Sequence, residues 1–499
     1  MDEKESKKGL TRRGFIKGAA IGLGATTMVA GFDPKDVTAK VPKKWDVVAD
    51  IVVVGAGGAG LAAATEAASR GANVVVLEKT AAPGGSSLIC GGALAFAGTD
   101  MQAAQGIKDS SELLYKDMMT VGQNMNVPAL VQAYVDNQLE TYKWLKQLGV
   151  NFLSVSIASG MSVPRGHNVK PSEVIKILSD AAKAKGTKIF METAGQKLVM
   201  DDKTGKISGV IVERKGKKIS YGAKKAVILT SGGFSRNTAL MAKFVPSMAK
   251  TKAINGLGNY GDGLKMAWAY GADIQDMPYI KATFGFEPNA TSIAEDFALV
   301  FYQGAIIVNK EGKRFVNESK SYKLVGDAAL VQTDALGFQL YDSPIREKTM
   351  SDPLSAIVNL EKRGLIYSAP TLAELAQKIN VPSATMEETV KDYNANVAKG
   401  IDPQFGRTTM VASYGKPVKI ETAPFYAFPS IAIIIGTYGG ILINNKAQVT
   451  DVFGNVIPGL YAAGEITGGV HGAAYMTGTA FGKAQIFGRI AAKNAVAGS

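Results

Sequence analysis

Short apolar runs and a helical segment alternate in the chain just after residue 45. Residues 50–54 form an apolar, β-branched run of the kind that makes a buried parallel strand. An alanine-rich stretch over residues 61–70 is typical of a helix that ends at Gly71, and residues 73–77 predict a second strand. Strand, helix and strand in this order predict a βαβ unit at the start of an α/β fold.

A glycine-rich loop joins the first strand to the helix. It has the GxGxxG spacing and consists of Gly55, Ala56, Gly57, Gly58, Ala59 and Gly60. The first glycine of this pattern permits a tight turn, the second lets the backbone approach a pyrophosphate, and the third lets the helix pack on the strand. Glu78 ends the second strand, where its carboxylate can accept a hydrogen bond from a ribose hydroxyl. Together these features predict a dinucleotide site at the helix N-terminus.

Composition restricts the chemistry that the protein can perform. The chain has 499 residues, of which 46% are hydrophobic and 20% charged, a balance typical of globular proteins. A single cysteine, Cys90, rules out an intramolecular disulfide and a cysteine-bound iron–sulfur cluster, and the two histidines, His167 and His471, make a metal site unexpected. Redox chemistry would therefore need an organic cofactor. The net charge of +13 comes without a basic block interleaved with aromatic residues, so nucleic acid is not an expected partner.

The N-terminus has the pattern of an export signal. Arg12 and Arg13 precede a weakly apolar run over residues 18–32, and residues 37–39 offer small side chains for cleavage. Paired arginines in this setting are typical of the twin-arginine route. Residues 1–39 are therefore predicted to be a twin-arginine signal peptide, which would place the protein in the periplasm or at the outer face of the cell membrane.

Further motifs resemble the FAD-binding elements of the fumarate reductase/succinate dehydrogenase flavoprotein superfamily. Four segments follow the order found in that superfamily. They are a second glycine-rich loop, a Thr-Ala-Gly-Gln turn at residues 193–196, a strand ending in Ser-Gly-Gly, and a closing segment at residues 458–465. The resemblance covers about residues 48–495, is closest to the flavin part of soluble flavocytochrome c fumarate reductases, and implies FAD as cofactor. Beyond the first loop and Glu78, it implies FAD contacts for Lys79, Gly84, Gly85, Ser86, Ser87, Gly91, Gly92, Gln196, Ser231, Gly232, Gly233, Asp262, Gly464, Glu465 and His471.

The same resemblance implies the fold class and the domain layout. We expect an α/β protein whose Rossmann-like FAD-binding domain runs over residues 45–260 and resumes over residues 437–499. An inserted α+β cap domain over residues 261–436 would close over the flavin and the substrate.

The positions that grip fumarate in that family are changed in this chain. Thr283, Phe301, Tyr322 and Tyr475 stand where the reductases have arginines or histidines, and residues 435–438 replace further histidines. A buried dicarboxylate without cationic partners costs several kcal/mol per ion, so fumarate and succinate are not expected substrates. The replacements are largely aromatic, which suits a flat, apolar substrate.

Three tyrosines resemble those of 3-ketosteroid Δ1-dehydrogenases. Tyr322 follows an Asn-Glu-Ser segment, Tyr134 lies in an Ala-Tyr-Val segment, and Tyr475 follows the closing FAD motif. In place of that branch's Pro-Gly-x-Gly segment, the chain offers Gly478. The resemblance implies that the Tyr475 hydroxyl and the Gly478 N–H polarise a ketone oxygen. Tyr322 would exchange a proton with the α-carbon, and Tyr134 would assist by hydrogen-bonding to Tyr322.

We therefore expect an FAD-dependent oxidoreductase that reduces, or forms, a C=C bond conjugated to a carbonyl. The first substrate candidate is a planar enone of the 3-ketosteroid type, and electrons would come from a separate cytochrome or membrane quinol system. Two alternatives stay open. One is an enoate reductase of the fumarate, urocanate or cinnamate type, in which Arg165 or a backbone nest holds a carboxylate; the other is a flavin electron carrier without its own substrate. His167 is also considered for the pocket and Cys90 for a covalent flavin tether, although no motif supports either.

Overall fold

The computed structural model describes residues 35, 37–293, 295–320, 322–350, 357–411 and 415–498. Almost all of the predicted signal peptide, residues 1–39, lies outside these ranges, so export stays a prediction. Within them, no helix is both long enough and apolar enough to cross a membrane.

The strands run along the whole described chain. They are β1 (Thr38–Ala39), β2 (Val47–Val54), β3 (Val74–Leu77), β4 (Ala93–Ala95), β5 (Ser154–Ser156), β6 (Gly166–Asn168), β7 (Lys188–Phe190), β8 (Ala194–Met200), β9 (Ile207–Arg214), β10 (Lys217–Leu229), β11 (Ile274–Gln275), β12 (Ile280–Phe286), β13 (Ile306–Val308), β14 (Leu336–Asp342), β15 (Tyr367–Ala369), β16 (Phe425–Thr437), β17 (Gly440–Ile441), β18 (Gln448–Thr450) and β19 (Val456–Ala462).

The α-helices lie between these strands, except for the last one, which follows the final strand. They are α1 (Gly58–Ser69), α2 (Gly85–Leu88), α3 (Asp100–Ala104), α4 (Ser111–Val121), α5 (Pro128–Gln147), α6 (Pro171–Ala184), α7 (Thr238–Phe244), α8 (Asp262–Trp268), α9 (Tyr322–Leu330), α10 (Ser343–Met350), α11 (Ile357–Lys362), α12 (Leu372–Lys378), α13 (Ser383–Ala398) and α14 (Thr479–Ala497). Short 3₁₀ helices cover Pro246–Met248, Val300–Tyr302, Thr333–Ala335 and Gly464–Ile466.

The predicted βαβ unit is present as β2, α1 and β3. Both strands are buried and parallel, and their register places Val54 opposite Leu77. The helix begins three residues before the predicted start because Gly58 and Gly60 already belong to its first turn. The chain therefore enters the helix directly from the glycine loop, so the loop itself supplies the free N–H groups of the helix N-terminus.

The main sheet has a parallel centre and an antiparallel flank. Strands β10, β2, β3 and β7 lie side by side and parallel, β19 pairs parallel with the end of β10, and β9 and β8 continue the sheet antiparallel. Val54 is also in register with Leu229, so the carboxyl ends of β2, β3 and β10 meet at one edge. In parallel sheets this edge is where ligands bind.

Helix α14 packs along α1 against this sheet. The two helices approach closely because Gly488 faces the backbone of Ala59; a Cβ on Gly488 would lie 2.4 Å from the Ala59 carbonyl oxygen. The C-terminal residues of the chain are thereby placed beside the glycine loop that lies more than 400 residues earlier in the sequence.

A second, antiparallel sheet has the strand order β12, β16, β14, β13, with β15 also paired to β16. Its residues build a separate hydrophobic core that reaches from Phe284 to Phe428. The predicted fold class, an α/β protein of the FAD-binding type, is confirmed. The division at residues 260/261 stays a prediction, and Leu264 and Met266 of α8 pack in the core of the main sheet.

Candidate functional site

Two glycines of the first loop occupy positions that no side chain can share. Gly55 has φ +110°, and a Cβ there would lie 2.5 Å from the Thr230 carbonyl oxygen. A Cβ on Gly60 would lie 1.9 Å from the Gly55 carbonyl oxygen. Both contacts are below any real Cβ distance, so the turn and the close passage of α1 over β2 require glycine at these two places.

Glu78 is fixed at the edge where the strands end. Its Oε2 accepts the N–H of Ala56 at 2.7 Å, and its Oε1 accepts the N–H of Thr80 at 2.8 Å and the Thr80 hydroxyl at 2.7 Å. The carboxylate is thus tied to the glycine loop and keeps capacity for a further donor. This is the geometry that a ribose hydroxyl needs.

Two cavities adjoin each other at α2. The first has a volume of about 360 Å³ and is bordered by the loop, Glu78 and α2. The second has a volume of about 100 Å³ and lies towards α14. They share part of their walls, formed by Ser86, Ser87, Ile89, Asn255, Glu465 and Ala484. The two cavities therefore form one elongated binding space.

Most of the residues predicted to hold FAD line this space. Those in the first cavity are Gly55, Gly57, Gly58, Ala59, Glu78, Lys79, Gly84, Gly85, Ser86, Ser87, Ser231, Gly232, Asp262, Gly464 and Glu465, and His471 lines the second. The others do not line either cavity and are Gly60, Gly91, Gly92, Gln196 and Gly233.

The residues that miss the cavities have other positions. Gln196 is exposed on β8, next to the lining residue Gly195. Gly92 and Gly233 permit close packing, since a Cβ would lie 2.2 Å from the Val169 carbonyl oxygen at the first and 2.3 Å from Thr437 Oγ1 at the second.

Several buried polar atoms along this space lack a hydrogen-bond partner in the described part of the chain. They are Ser231 Oγ and Thr437 Oγ1, on residues that line the cavities, and both ends of the Gln485 amide, which lies against Gly58 of the glycine loop. Buried polar groups are nearly always paired, so these atoms indicate a polar ligand. The residues fit FAD: Glu78 suits the adenosine ribose and the glycine loop suits the diphosphate, so the flavin end of the cofactor would be directed towards the second cavity.

Glu465 stands where the two cavities meet. Its carboxylate accepts the hydroxyl of Ser86 at 3.0 Å, the N–H of Thr437 at 3.1 Å and the amide of Asn259 at 3.0 Å. Burial raises the pKa of Glu465, although these hydrogen bonds oppose the shift. The carboxylate joins the α2 loop, the end of β16 and the segment before α8 around the cofactor space.

The structure adds a cation that the sequence analysis missed. Lys483 lies on α14, is 2% exposed and lines the second cavity. Its ammonium group donates to the Thr467 carbonyl oxygen at 2.8 Å. Burial lowers the pKa of Lys483 to about 8, against the opposing influence of Glu465 and Asp276. The available signal was a lysine in the first turns of α14, where residues 480–484 are otherwise apolar or small.

Two predicted catalytic tyrosines lie together beside the second cavity. The hydroxyl oxygen of Tyr475 accepts the N–H of Gly478 at 2.9 Å, and the hydroxyl of Tyr322 lies 3.0 Å from Thr477 Oγ1. The two tyrosine hydroxyls also interact with each other. Burial raises the pKa of both phenols, so both stay protonated at neutral pH.

The tyrosine pair is separated from the cavity by residues that line it. The ring of Tyr438 stacks on Tyr475 with centroids 6.1 Å apart, and the ring of His471 meets Tyr475 edge-on at 5.5 Å. Burial lowers the pKa of His471 well below its ordinary value, so its imidazole is neutral. The Tyr438 hydroxyl is buried and has no partner in the described residues, which marks it as a further polar group facing a ligand.

Two predicted contacts of this group are wrong. The hydroxyl of Tyr134 donates to the Ala95 carbonyl oxygen at 2.8 Å and not to Tyr322, because Tyr134 is fully buried under α14, where Gly482 leaves room for it. The N–H of Gly478 is directed at Tyr475, so it is not a second free donor for a ketone.

Arg165 and His167 are structural residues. Arg165 is fully buried and pairs with Asp109 at 2.8 Å and with Asp117 at 2.5 Å, so the hypothesis that it holds a substrate carboxylate is wrong. The ring nitrogens of His167 lie 2.8 Å from Thr99 Oγ1 and 2.9 Å from the Arg165 carbonyl oxygen, outside both cavities.

A second cation, Lys281, was also missed by the sequence analysis. It lies on β12, lines the second cavity, and its ammonium group is 4.0 Å from the centroid of the Tyr475 ring. Cys90 lines the same cavity, and its thiol donates to the Ser87 carbonyl oxygen at 3.3 Å. The signal for Lys281 was a lysine inside a strand whose other residues are apolar or small.

A dinucleotide loop at one end and tyrosines, histidine and two lysines at the other define a flavoprotein oxidoreductase built on a parallel sheet. The model of the FAD binding domain family matches residues 50–480, and the chain belongs to this family. The predicted cofactor, FAD, and the predicted enzyme class, an FAD-dependent oxidoreductase acting on C=C bonds, are confirmed.

The comparisons also confirm both resemblances. The chain is 35% identical over 451 residues to a fumarate reductase (cytochrome) of Shewanella frigidimarina, which covers 89% of this chain and 76% of that protein. The open conformation of a flavocytochrome c3 fumarate reductase matches with a TM-score of 0.77 and 30% identity, over 100% of this chain and 83% of that one. The 3-ketosteroid-Δ4-(5α)-dehydrogenase of Rhodococcus jostii RHA1, in complex with 4-androstene-3,17-dione, matches with a TM-score of 0.76 and 27% identity, over 92% and 99%.

Proposed function

We propose that this protein reduces a C=C bond conjugated to a carbonyl group in a planar small molecule, with Tyr322 as the proton donor. The observation that carries the proposal is the connected set of hydroxyl groups beside the second cavity. Tyr322, Tyr475 and Thr477 are joined to one another and to the N–H of Gly478. Such a set can hold a proton and pass it to a substrate in the cavity after a small movement of Tyr438 or His471.

Each residue has a role that follows from its bonds. The oxygen of Tyr475 already accepts the Gly478 N–H, so its own proton is free to be donated to the carbonyl oxygen of the substrate. Tyr322 stays protonated because burial raises its pKa, so it holds the proton for the α-carbon. When bound and reduced by an external donor, FAD would supply the hydride for the β-carbon. One hydride and one proton saturate the bond, and an external donor restores the electrons.

Two substrate candidates remain for this chemistry. A neutral enone of the 3-ketosteroid type is supported by the tyrosine pair and by the dehydrogenase fold neighbour that binds 4-androstene-3,17-dione. An enoate is supported by Lys281, a cation in the wall of the cavity. A flavin carrier without a substrate needs neither the hydroxyl set nor a cavity behind the flavin, so this alternative is disfavoured.

The electron donor proposed for the protein is a separate cytochrome or a membrane quinol system. The chain spans 76% of a relative named for its cytochrome, and its one cysteine excludes c-type haem attachment through paired cysteines. Export by the twin-arginine route, to the periplasm or the outer face of the membrane, is part of the same proposal and is supported by Arg12 and Arg13.

Anaerobic reoxidation of the reduced holoenzyme tests the proposal. Flavin absorbance is followed after separate additions of a 3-keto-4-ene steroid, cinnamate and fumarate. Rapid return of the absorbance with the steroid or cinnamate, together with the saturated product, is the expected result. Reoxidation by fumarate alone would contradict both substrate candidates, since the cavity offers too few cations for two carboxylates. Reoxidation by none of the three compounds would contradict the proposed reaction.

A further inference from the structure

We propose that Lys281 is the anion-binding residue of the substrate site and that it selects substrates with one carboxylate over neutral compounds and over dicarboxylates. The inference rests on the proposed function, since it names the substrate class of the same cavity. It depends on where Lys281 lies, on the charges around it and on the apolar character of the remaining wall.

The position of Lys281 brings its ammonium group to the ring of Tyr475. Strand β12 pairs with β16 so that Lys281 lies opposite Gly436, one residue before the lining residue Thr437. The ammonium group rests 4.0 Å from the centre of the Tyr475 ring. An oxyanion held by Lys281 would therefore lie close to the ring of Tyr475.

The charge balance of the cavity leaves Lys281 uncompensated. Lys483 donates to the Thr467 carbonyl oxygen and has Glu465 and Asp276 as its electrostatic partners. His471 is neutral. No acidic side chain in the described ranges forms an ion pair with Lys281. One positive charge therefore remains for a ligand.

The rest of the wall excludes a second carboxylate. The wall also includes Lys483, whose ammonium group donates to the Thr467 carbonyl oxygen, and the polar side chains of Tyr438 and His471. Its apolar part is formed by Ile89, Ile254, Ile293, Ile435, Ala480 and Phe481. A second negative charge against this surface would be desolvated without a partner, at a cost of several kcal/mol. The cavity thus suits a single carboxylate joined to an apolar body, as in an arylacrylate.

Lys281 also suits the chemistry of an enoate. When a hydride adds to the β-carbon of an α,β-unsaturated carboxylate, negative charge builds up on the carboxylate oxygens until the α-carbon takes a proton. A fixed ammonium group next to these oxygens stabilises that charge, and Tyr475 supplies a hydrogen bond to the same atoms. A ketone needs less of this help because it starts neutral.

The test compares an acid with its uncharged ester in the holoenzyme. Reoxidation kinetics are measured with cinnamate and methyl cinnamate for the wild type, Lys281→Gln and Lys281→Arg. Lys176→Gln is the matched control, because it removes one positive charge from an exposed lysine of α6. We expect Lys281→Gln to lower kcat/KM for the acid about 10–100-fold and to change it less than about twofold for the ester, with partial rescue by Lys281→Arg.

A binding measurement separates this inference from the proposed function. The oxidised holoenzyme is titrated with 3-phenylpropionate, and the flavin absorbance change gives its Kd. A Kd that is at least about tenfold higher in Lys281→Gln than in the wild type supports the role of Lys281 in anion binding. If this difference is found but no compound is reduced, only the proposed function fails. Equal Kd values in the two proteins, or equal loss of acid and ester turnover, would overturn the role of Lys281.

Discussion

The backbone N–H of Gly478 donates a 2.9 Å hydrogen bond to the hydroxyl oxygen of Tyr475. Gly478 has φ +88° at the start of α14, and a Cβ there would lie 2.8 Å from the Ala95 amide nitrogen, so the turn is closed to other residues. The bond fixes the phenol through the backbone and leaves its proton available to a substrate.

Replacing Tyr475 with Phe tests this bond. The change leaves the buried N–H of Gly478 without an acceptor, which costs about 1–3 kcal/mol. We therefore expect Tyr475→Phe to lower the free energy of unfolding by that amount, measured by urea denaturation, and to slow flavin reoxidation by substrate. Unchanged stability would mean that the N–H has another partner.

The glycine loop gives a second prediction. Gly60→Ala would place a methyl group 1.9 Å from the Gly55 carbonyl oxygen, so α1 cannot keep its position and FAD binding should be lost. Gly71→Ala is the control, because Gly71 has open space around it and its φ of +81° adds only about 1–2 kcal/mol of backbone strain. The measurement is the flavin-to-protein ratio of the purified variants. One FAD bound per chain in Gly60→Ala would contradict the loop geometry.

Arg165 should affect stability and not substrate binding. Arg165→Met leaves Asp109 and Asp117 without their buried cation, which costs about 3–5 kcal/mol. The expected result is a large drop in the midpoint of urea unfolding with the substrate KM unchanged in the folded fraction. A raised KM at unchanged stability would restore Arg165 as a candidate carboxylate ligand.

Lys483 gives the protein a pH dependence with a defined sign. Its pKa is lowered to about 8 in the folded protein from 10.5, so between these two values the unfolded chain binds more protons and stability rises with pH. The full effect is about 3 kcal/mol. In the FAD-free protein, Lys483→Met should therefore have a higher free energy of unfolding than the wild type. This difference between the two proteins should be larger at about pH 7 than at about pH 10. A difference that stays constant over this range would refute the shifted pKa.

The local parts of the fold could be predicted from the sequence. The apolar run before Gly55, the loop spacing and Glu78 are close in sequence, and the glycines are needed for reasons that a local pattern shows. The predicted dinucleotide edge and its principal residues accordingly lie where the structure places the first cavity.

The groups that face the substrate could not be predicted in the same way. Lys281 and Lys483 meet in one cavity although about 200 residues separate them. Only tertiary packing decides that Lys483 donates to the Thr467 carbonyl oxygen while Lys281 has no ion pair among the described residues. Arg165 was a plausible carboxylate ligand until Asp109 and Asp117 were placed against it. The sequence does not show which group each tyrosine hydroxyl reaches. The hydroxyl of Tyr134 bonds to the Ala95 carbonyl oxygen, whereas the hydroxyl of Tyr322 lies beside Thr477 Oγ1.

The most direct test of the proposed mechanism is the rate at which substrate reoxidises the reduced flavin in Tyr322→Phe, with Tyr134→Phe as the control that also loses one buried tyrosine hydroxyl. We expect Tyr322→Phe to retain FAD and to react about 10²–10⁴ times more slowly than the wild type, since it lacks the proton donor. Tyr134→Phe should stay within about threefold, because it loses only a structural hydrogen bond to Ala95. A wild-type rate in Tyr322→Phe would contradict the assignment of Tyr322 as proton donor.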